Sequence, residues 1–183
     1  MGYDKYTKTS RFMSSVLRHN PDSVGIRLDA NGWVKVEILL EALHRKGHNL
    51  SEKDLAELVR TNDKQRFAFS EDGERIRASQ GHSVPIELGL QPQTPPDTLY
   101  HGTIAKFWDG IMQHGLLKMK RTHVHLSPDI ATAEKVGARH GKPLILSVAT
   151  GRMHQEGHLF YHSENGVWLV HTVPPQYLTQ LPL

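Results

Sequence analysis

The sequence predicts an α+β protein of two lobes, the first made of helices followed by a hairpin, the second of strands and helices in alternation. Three observations carry that prediction. Apolar residues recur at helical spacing from Ser10 to Thr61, and the period then drops to two between Gln65 and Ser79. A proline-rich stretch over residues 85–96 separates these from a second half of short apolar runs. A chain of 183 residues, 38% of them hydrophobic, is long enough for one good core or two small ones.

Taken in order, Ser10 to His19 brings Phe12, Val16 and Leu17 to one side of a helix. Asn20-Pro21 stops it, because the residue before a proline disfavours helical backbone. Arg18 and His19 therefore fall at a helix end. Gly32-Trp33-Val34 leads into a second helix near Val36 to Arg45, with Ile38, Leu39, Ala42 and Leu43 inward and Gly47 as its stop. Ser51 offers an N-cap with Asp54 three residues on, and Leu55, Leu58 and Val59 form the apolar face of a third helix ending near Thr61. In the next stretch Phe67 and Phe69 alternate with Arg66 and Ala68, and Glu71-Asp72-Gly73-Glu74 turns the chain into Ile76 and Ala78. Arg66 then faces away from the phenylalanines, and Arg75 and Arg77 fall opposite Ile76, so one face of the hairpin is expected to be cationic. Three helices and a two-stranded wing form the pattern of a winged helix, assigned to residues 1–84.

Residues 85–96 read as a semi-rigid connector. Beyond it, residues 97–183 predict strands at Thr98–His101, His123–Ser127 and Pro143–Ala149, then a closing pair, Phe160-Tyr161 and Val167–His171, around a turn at Ser163–Gly166. Helices are expected over Phe107–His114, stopped by Gly115, and Ala131–Arg139. The pattern is a mixed α/β sandwich. It lacks a Gly-x-Gly-x-x-Gly loop and is therefore not a Rossmann unit.

Composition removes several classes. With no cysteine, disulfides, thiolate zinc sites and a cysteine nucleophile are excluded. No run of eighteen apolar residues exists and the stretch Met1–Ser10 is polar, so a cytoplasmic protein without membrane attachment is expected. A formal charge of +3 is too small for the uniform field of a general nucleic-acid binder. Any basic surface must be local, and the informative cations are those set inside apolar elements.

Those cations lie in short stretches with a definite order: Leu17-Arg18-His19, Asn62-Asp63-Lys64-Gln65-Arg66-Phe67, Arg77-Ala78-Ser79-Gln80-Gly81-His82-Ser83, Leu99-Tyr100-His101-Gly102-Thr103, His123-Val124-His125-Leu126-Ser127, and Val167-Trp168-Leu169 with Val173-Pro174-Pro175. That series resembles the NAD-dependent RNA 2'-phosphotransferase family over nearly the whole chain. The resemblance implies a winged-helix lobe joined to an ADP-ribosyltransferase-like lobe. It also implies a two-step reaction in which an internal RNA 2'-phosphate, on tRNA-like substrates of splicing, attacks the nicotinamide ribose of NAD+ and nicotinamide leaves. The ribose 2''-hydroxyl then attacks phosphorus, releasing 2'-OH RNA and ADP-ribose 1'',2''-cyclic phosphate. By the same resemblance Arg18, His19, Arg66 and Arg121 are the catalytic set, and His101, Gly102, Thr103, His125, Ser127 and Val167 contact NAD+, which is consumed; no metal is expected, and the enzyme is expected to be a monomer.

The chemistry suits those residue types. A phosphate monoester carries about −1.5 to −2 charges at neutral pH, and a guanidinium holds its oxygens bidentately without losing its own charge. The same groups stabilise the charge that builds in phosphoryl transfer. His19 either contacts the phosphate or gives a proton to the departing 2'-oxygen. ADP-ribosyltransferase lobes often place a glutamate where Val167 stands, to hold the 2''-hydroxyl; a hydroxyl that must itself attack phosphorus is better left unheld. Other readings stay open at this point. Taken singly, each arginine could be a solvated surface group and His101 a core histidine. His123 and His125 could ligate zinc, but no third ligand has a recognised spacing. His-Val-His-Leu-Ser resembles one half of a cyclic phosphodiesterase motif pair, without a second copy. A ligand-sensing winged-helix binding module, or transfer of ADP-ribose onto terminal nucleic-acid phosphates, would use the same fold.

Overall fold

The structure, a computed structural model, describes residues 6–182; the start of the polar amino-terminal stretch and Leu183 lie outside the described residues. The chain is mixed α/β, with six helices and small antiparallel sheets among the described residues. It divides into two compact units, one ending at Gly89 and the other beginning at Leu90. Among the described residues no helix is long and apolar enough to cross a membrane.

The first unit holds α1 (Thr7–Arg18), β1 (Val34–Lys35), α2 (Val36–Arg45), α3 (Glu52–Thr61), β2 (Phe67–Phe69) and β3 (Arg75–Ala78). Met13, Val16 and Leu17 of α1, Leu39 and Leu43 of α2, and Leu55 and Leu58 of α3 bury one core with Phe67 and Ile76. Each such side chain contributes about 1.5–3 kcal/mol on burial. Both ends of the α2–α3 connection are capped as the residues dictate. Gly47, at φ +82°, lets its N–H reach the His44 carbonyl and the His48 N–H reach that of Leu43. Ser51 and Asp54 exchange side-chain and backbone hydrogen bonds in a capping box.

Two expectations for this unit are corrected. Trp33-Val34 does more than lead into α2: Val34 pairs with Ile76 and Lys35 with Arg75, giving a three-stranded sheet of order β1-β3-β2. Arg77 does not join a cationic outer face; it is 6% exposed, its guanidinium lies 4.3 Å from the Trp33 ring centroid, and it donates to the carbonyls of Leu88 and Asn31. Alternation along β3 sends it away from Ile76, but segments remote in sequence cover that side. Residues 85–96, expected as a semi-rigid connector, contain the boundary between the two units. The Glu87 N–H donates to Ala30 and the Gln93 N–H to Phe160, so the stretch is divided between the two units.

The second unit contains β4 (Leu99–Ile104), α4 (Trp108–His114), β5 (Leu116–Leu117), β6 (Val124–Leu126), α5 (Ile130–Gly137), β7 (Pro143–Val148), α6 (Thr150–Gln155), β8 (Phe160–His162), β9 (Trp168–Val170), β10 (Thr172–Val173) and β11 (Leu178–Gln180). Its strands form two three-stranded antiparallel sheets, β11-β7-β4 and β6-β9-β8, and a small pair β10-β5. Reciprocal backbone bonds between Tyr100 and Ser127, at 2.9 and 2.7 Å, tie β4 to the end of β6. One core takes Leu99, Leu146 and Val148 from the first sheet and Leu126, Phe160 and Val170 from the second. Helix α5 packs so closely on β4 that a Cβ on Gly102 would overlap the Ala133 carbonyl oxygen. Glycine at that position is therefore demanded by helix-on-strand packing, whatever it does for a ligand.

Candidate active site

The first unit ties Arg18, His19 and Arg66 to one short segment. Arg18 is the last residue of α1 and His19 its C-cap. The carbonyl at a helix end lacks an intrahelical donor, and here Ser83 supplies one, its N–H lying 2.8 Å from the Arg18 oxygen. The Ser83 hydroxyl is 2.9 Å from His19 Nδ1. Arg66 sits just before β2, after Gln65, which takes the left-handed conformation at φ +43°. Its N–H is received by the Asn62 side-chain oxygen at 3.1 Å and its carbonyl by the Ser79 N–H at 2.9 Å. Asn62 is itself buried and donates to Ser10 on α1. Thus Ser79 holds the Arg66 backbone, and four residues later Ser83 holds Arg18 and His19.

Within this segment His82 is fully buried, with no hydrogen-bond partner for either ring nitrogen among the described residues. Burial, reinforced by the charges of Arg18, Arg77 and His19, pushes its pKa down to about 4. It is held neutral at physiological pH.

In the second unit, three of the expected residues meet. His101 on β4 lies 3.1 Å through Nδ1 from the His125 carbonyl of β6. A carbonyl only accepts, so Nδ1 carries the proton and Nε2 presents a lone pair. Burial first, then the nearby Arg121 charge, lowers the His101 pKa despite the opposing hydrogen bond. Arg121, in the loop before β6, approaches His125 Nδ1 through a terminal nitrogen at 3.1 Å. A guanidinium only donates, so His125 accepts at Nδ1 and, as a neutral ring, carries its proton on Nε2. His125 therefore joins two candidate groups, the His101 ring through its carbonyl and Arg121 through its own ring.

The remaining expected residues are placed as follows. Ser127 is in the bridge to Tyr100, and Thr103 is buried on β4. Val167 closes the β8–β9 hairpin, exchanging hydrogen bonds with Ser163. His123 has partners of its own: its Nδ1 lies 3.1 Å from the Thr122 hydroxyl and its ring packs edge-on against Tyr161 at 5.5 Å. Sequence reasoning missed Asn62, Ser79, His82 and Ser83 as individuals. All lie within the quoted stretches around Arg66 and after Arg77, so a signal was present without a role attached to it.

With this geometry in view, comparison with known proteins is direct. Residues 4–172 match the family model described as "RNA 2'-phosphotransferase, Tpt1 / KptA family". A protein of Nostoc punctiforme named "Probable RNA 2'-phosphotransferase" is 50% identical over 181 residues, covering 99% of this chain and all of its own length. Proteins of the same name from Hahella chejuensis and Rhodopirellula baltica are each 54% identical, over 97% and 93% of this chain and 96% and 94% of their own. The ordered Arg-His, Arg and His stretches that build both clusters thus fall inside one matched region, and the chain belongs to the RNA 2'-phosphotransferase family.

Proposed function

We propose that this protein removes an internal 2'-phosphate from RNA by transferring it to NAD+. The products are 2'-OH RNA, nicotinamide and ADP-ribose 1'',2''-cyclic phosphate, formed through an RNA-2'-phospho-ADP-ribose intermediate. The observation that carries the reading is the attachment of Arg18, His19 and Arg66 to the single segment Ser79–Ser83, in a chain of this family. Three residues with cationic or protonatable side chains, Arg18 and Arg66 tied to one segment through their backbones and His19 through its ring, suit a dianionic phosphate better than scattered surface charges do.

On this reading Arg18 and Arg66 bind and orient the 2'-phosphate, and His19 contacts it through Nε2. Arg121 stabilises charge building on the phosphorus-bound oxygens. Fit to NAD+ rests on the donor set: His101 Nε2 is an acceptor suited to a ribose hydroxyl, with Thr103 and Ser127 as further hydroxyl partners. The same reading takes the first unit as a winged helix, supported by three helices followed by a small antiparallel sheet. It takes the second as an ADP-ribosyltransferase-like lobe, supported by two antiparallel sheets carrying His101 and His125 on neighbouring strands.

The test is incubation with a short RNA bearing one internal 2'-phosphate, with and without NAD+, in EDTA. NAD+-dependent formation of 2'-OH RNA and ADP-ribose cyclic phosphate is expected. Accumulated ADP-ribosylated RNA would replace the reading with simple transfer to nucleic-acid phosphates, and no reaction would overturn it.

A further inference from the structure

The segment Ser79–Ser83 ties Arg18, His19 and Arg66 together, but the reaction as read above gives its side chains no task of their own. Its contacts supply one. Ser79 fixes Arg66 by the backbone bond already described and caps the Gln65 carbonyl through its hydroxyl at 2.9 Å. Ser83 makes two different contacts on α1. Its N–H caps the Arg18 carbonyl, which any residue but proline could do, whereas its hydroxyl meets His19 Nδ1 at 2.9 Å. An imidazole has two nitrogens on opposite sides of the ring, so a hydroxyl on Nδ1 fixes the direction in which Nε2 points.

We propose that Ser83 is a positioning residue for His19, holding the ring through Nδ1 so that Nε2 meets the RNA 2'-phosphate. This rests on the phosphate-contacting reading of His19. A hydroxyl suits the task because it both donates and accepts. To a neutral ring with a lone pair on Nδ1 it donates; to the imidazolium favoured by an arriving phosphate it accepts from Nδ1–H, and Nε2–H then points at a phosphate oxygen. The ring keeps one orientation through a change of charge. Ser83 is exposed, so its side chain adds nothing to the core, and removal of the hydroxyl leaves the Arg18 cap intact.

The experiment compares the wild-type chain with Ser83→Ala and Ser83→Thr. It measures kcat and KM on the 2'-phosphorylated RNA, the urea unfolding midpoint, and the His19 ring nitrogens by long-range proton–nitrogen NMR without substrate, assigned with His19→Gln. Ser83→Ala is expected to lower kcat about tenfold, as loss of an orienting partner does elsewhere, with KM and unfolding midpoint little changed and the Nδ1 resonance moved. Ser83→Thr, which keeps the hydroxyl, restores both. Wild-type kcat in Ser83→Ala overturns the proposal, and so does an unmoved Nδ1 resonance. If the wild-type chain does not act on this RNA, the functional reading fails on its own account, and the resonance alone decides whether Ser83 holds His19.

Discussion

His19 in the first unit and His125 in the second are both anchored through Nδ1, but to partners of opposite kind. His19 meets the hydroxyl of Ser83, which can reverse its hydrogen bond; His125 meets the guanidinium of Arg121, which cannot. The first arrangement survives protonation of the ring and the second does not, since a proton on Nδ1 removes the acceptor and sets two cations against each other. On the function proposed above, the first arrangement suits a histidine that contacts the phosphate and the second one that holds an arginine in place. His82 completes the series. It has no ring partner among the described residues, and its neutrality comes from burial among positive charges.

The largest effect should come from breaking the one-way pair. Arg121→Ala is expected to lower single-turnover dephosphorylation by about 100-fold, about 3 kcal/mol, as loss of one electrostatic donor does elsewhere. If His125 acts through Arg121, adding His125→Ala to that variant costs much less than it does in the wild-type chain. Full additivity in the double-mutant cycle would separate the two residues.

The unpartnered histidine gives a stability signal of similar size. Its pKa is about 4 folded and about 6.5 unfolded, so the unfolded chain binds the extra proton between those values. The contribution is complete above about pH 6.5 and is lost as pH falls toward 4, amounting to about 3 kcal/mol. Urea unfolding across that window should show this decline in the wild-type chain and a flatter profile in His82→Leu; equal slopes would remove His82 as its source.

A smaller effect sharpens the second arrangement from behind. Gly102→Ala forces a methyl against the Ala133 carbonyl and should destabilise the chain by about 1–3 kcal/mol, displacing the adjoining His101, as read from unfolding midpoints and from KM for NAD+. The smallest is Val167→Glu. A carboxylate holding the ribose 2''-hydroxyl should slow the second step by about fivefold, the worth of one hydrogen bond, and accumulate ADP-ribosylated RNA. Unchanged turnover would show that the missing glutamate does not matter.

Much of the fold was legible because local rules decide it. The expected span of α2 is the observed one, the Ser51–Asp54 cap starts α3, and the Phe67/Ile76 alternation builds the hairpin. Strands β1, β5 and β10 were not legible, because two-residue strands have no period and exist only through distant partners. Helix α6 escaped for want of an apolar stripe in Thr150–Gln155. At the site, Arg18, His19 and Arg66 stood out as cations inside apolar elements, whereas Ser83 is an ordinary surface serine until the fold carries it to α1. Arg77 shows the converse. Alternation alone placed it outside, and only the remote Trp33, Asn31 and Leu88 explain why it is inside.

That inward arginine bears on how RNA binding should respond to salt. A cation that neutralises a phosphate displaces condensed counterions, about 0.7 per contact on a single strand, and steepens the loss of affinity with ionic strength. Arg77, sealed over Trp33 and hydrogen-bonded to two carbonyls, has its charge turned into the protein and displaces none. If the first unit binds RNA as proposed, its ionic footprint is smaller than its arginine content suggests, and binding should depend on the 2'-phosphate more than on the polyanionic backbone around it.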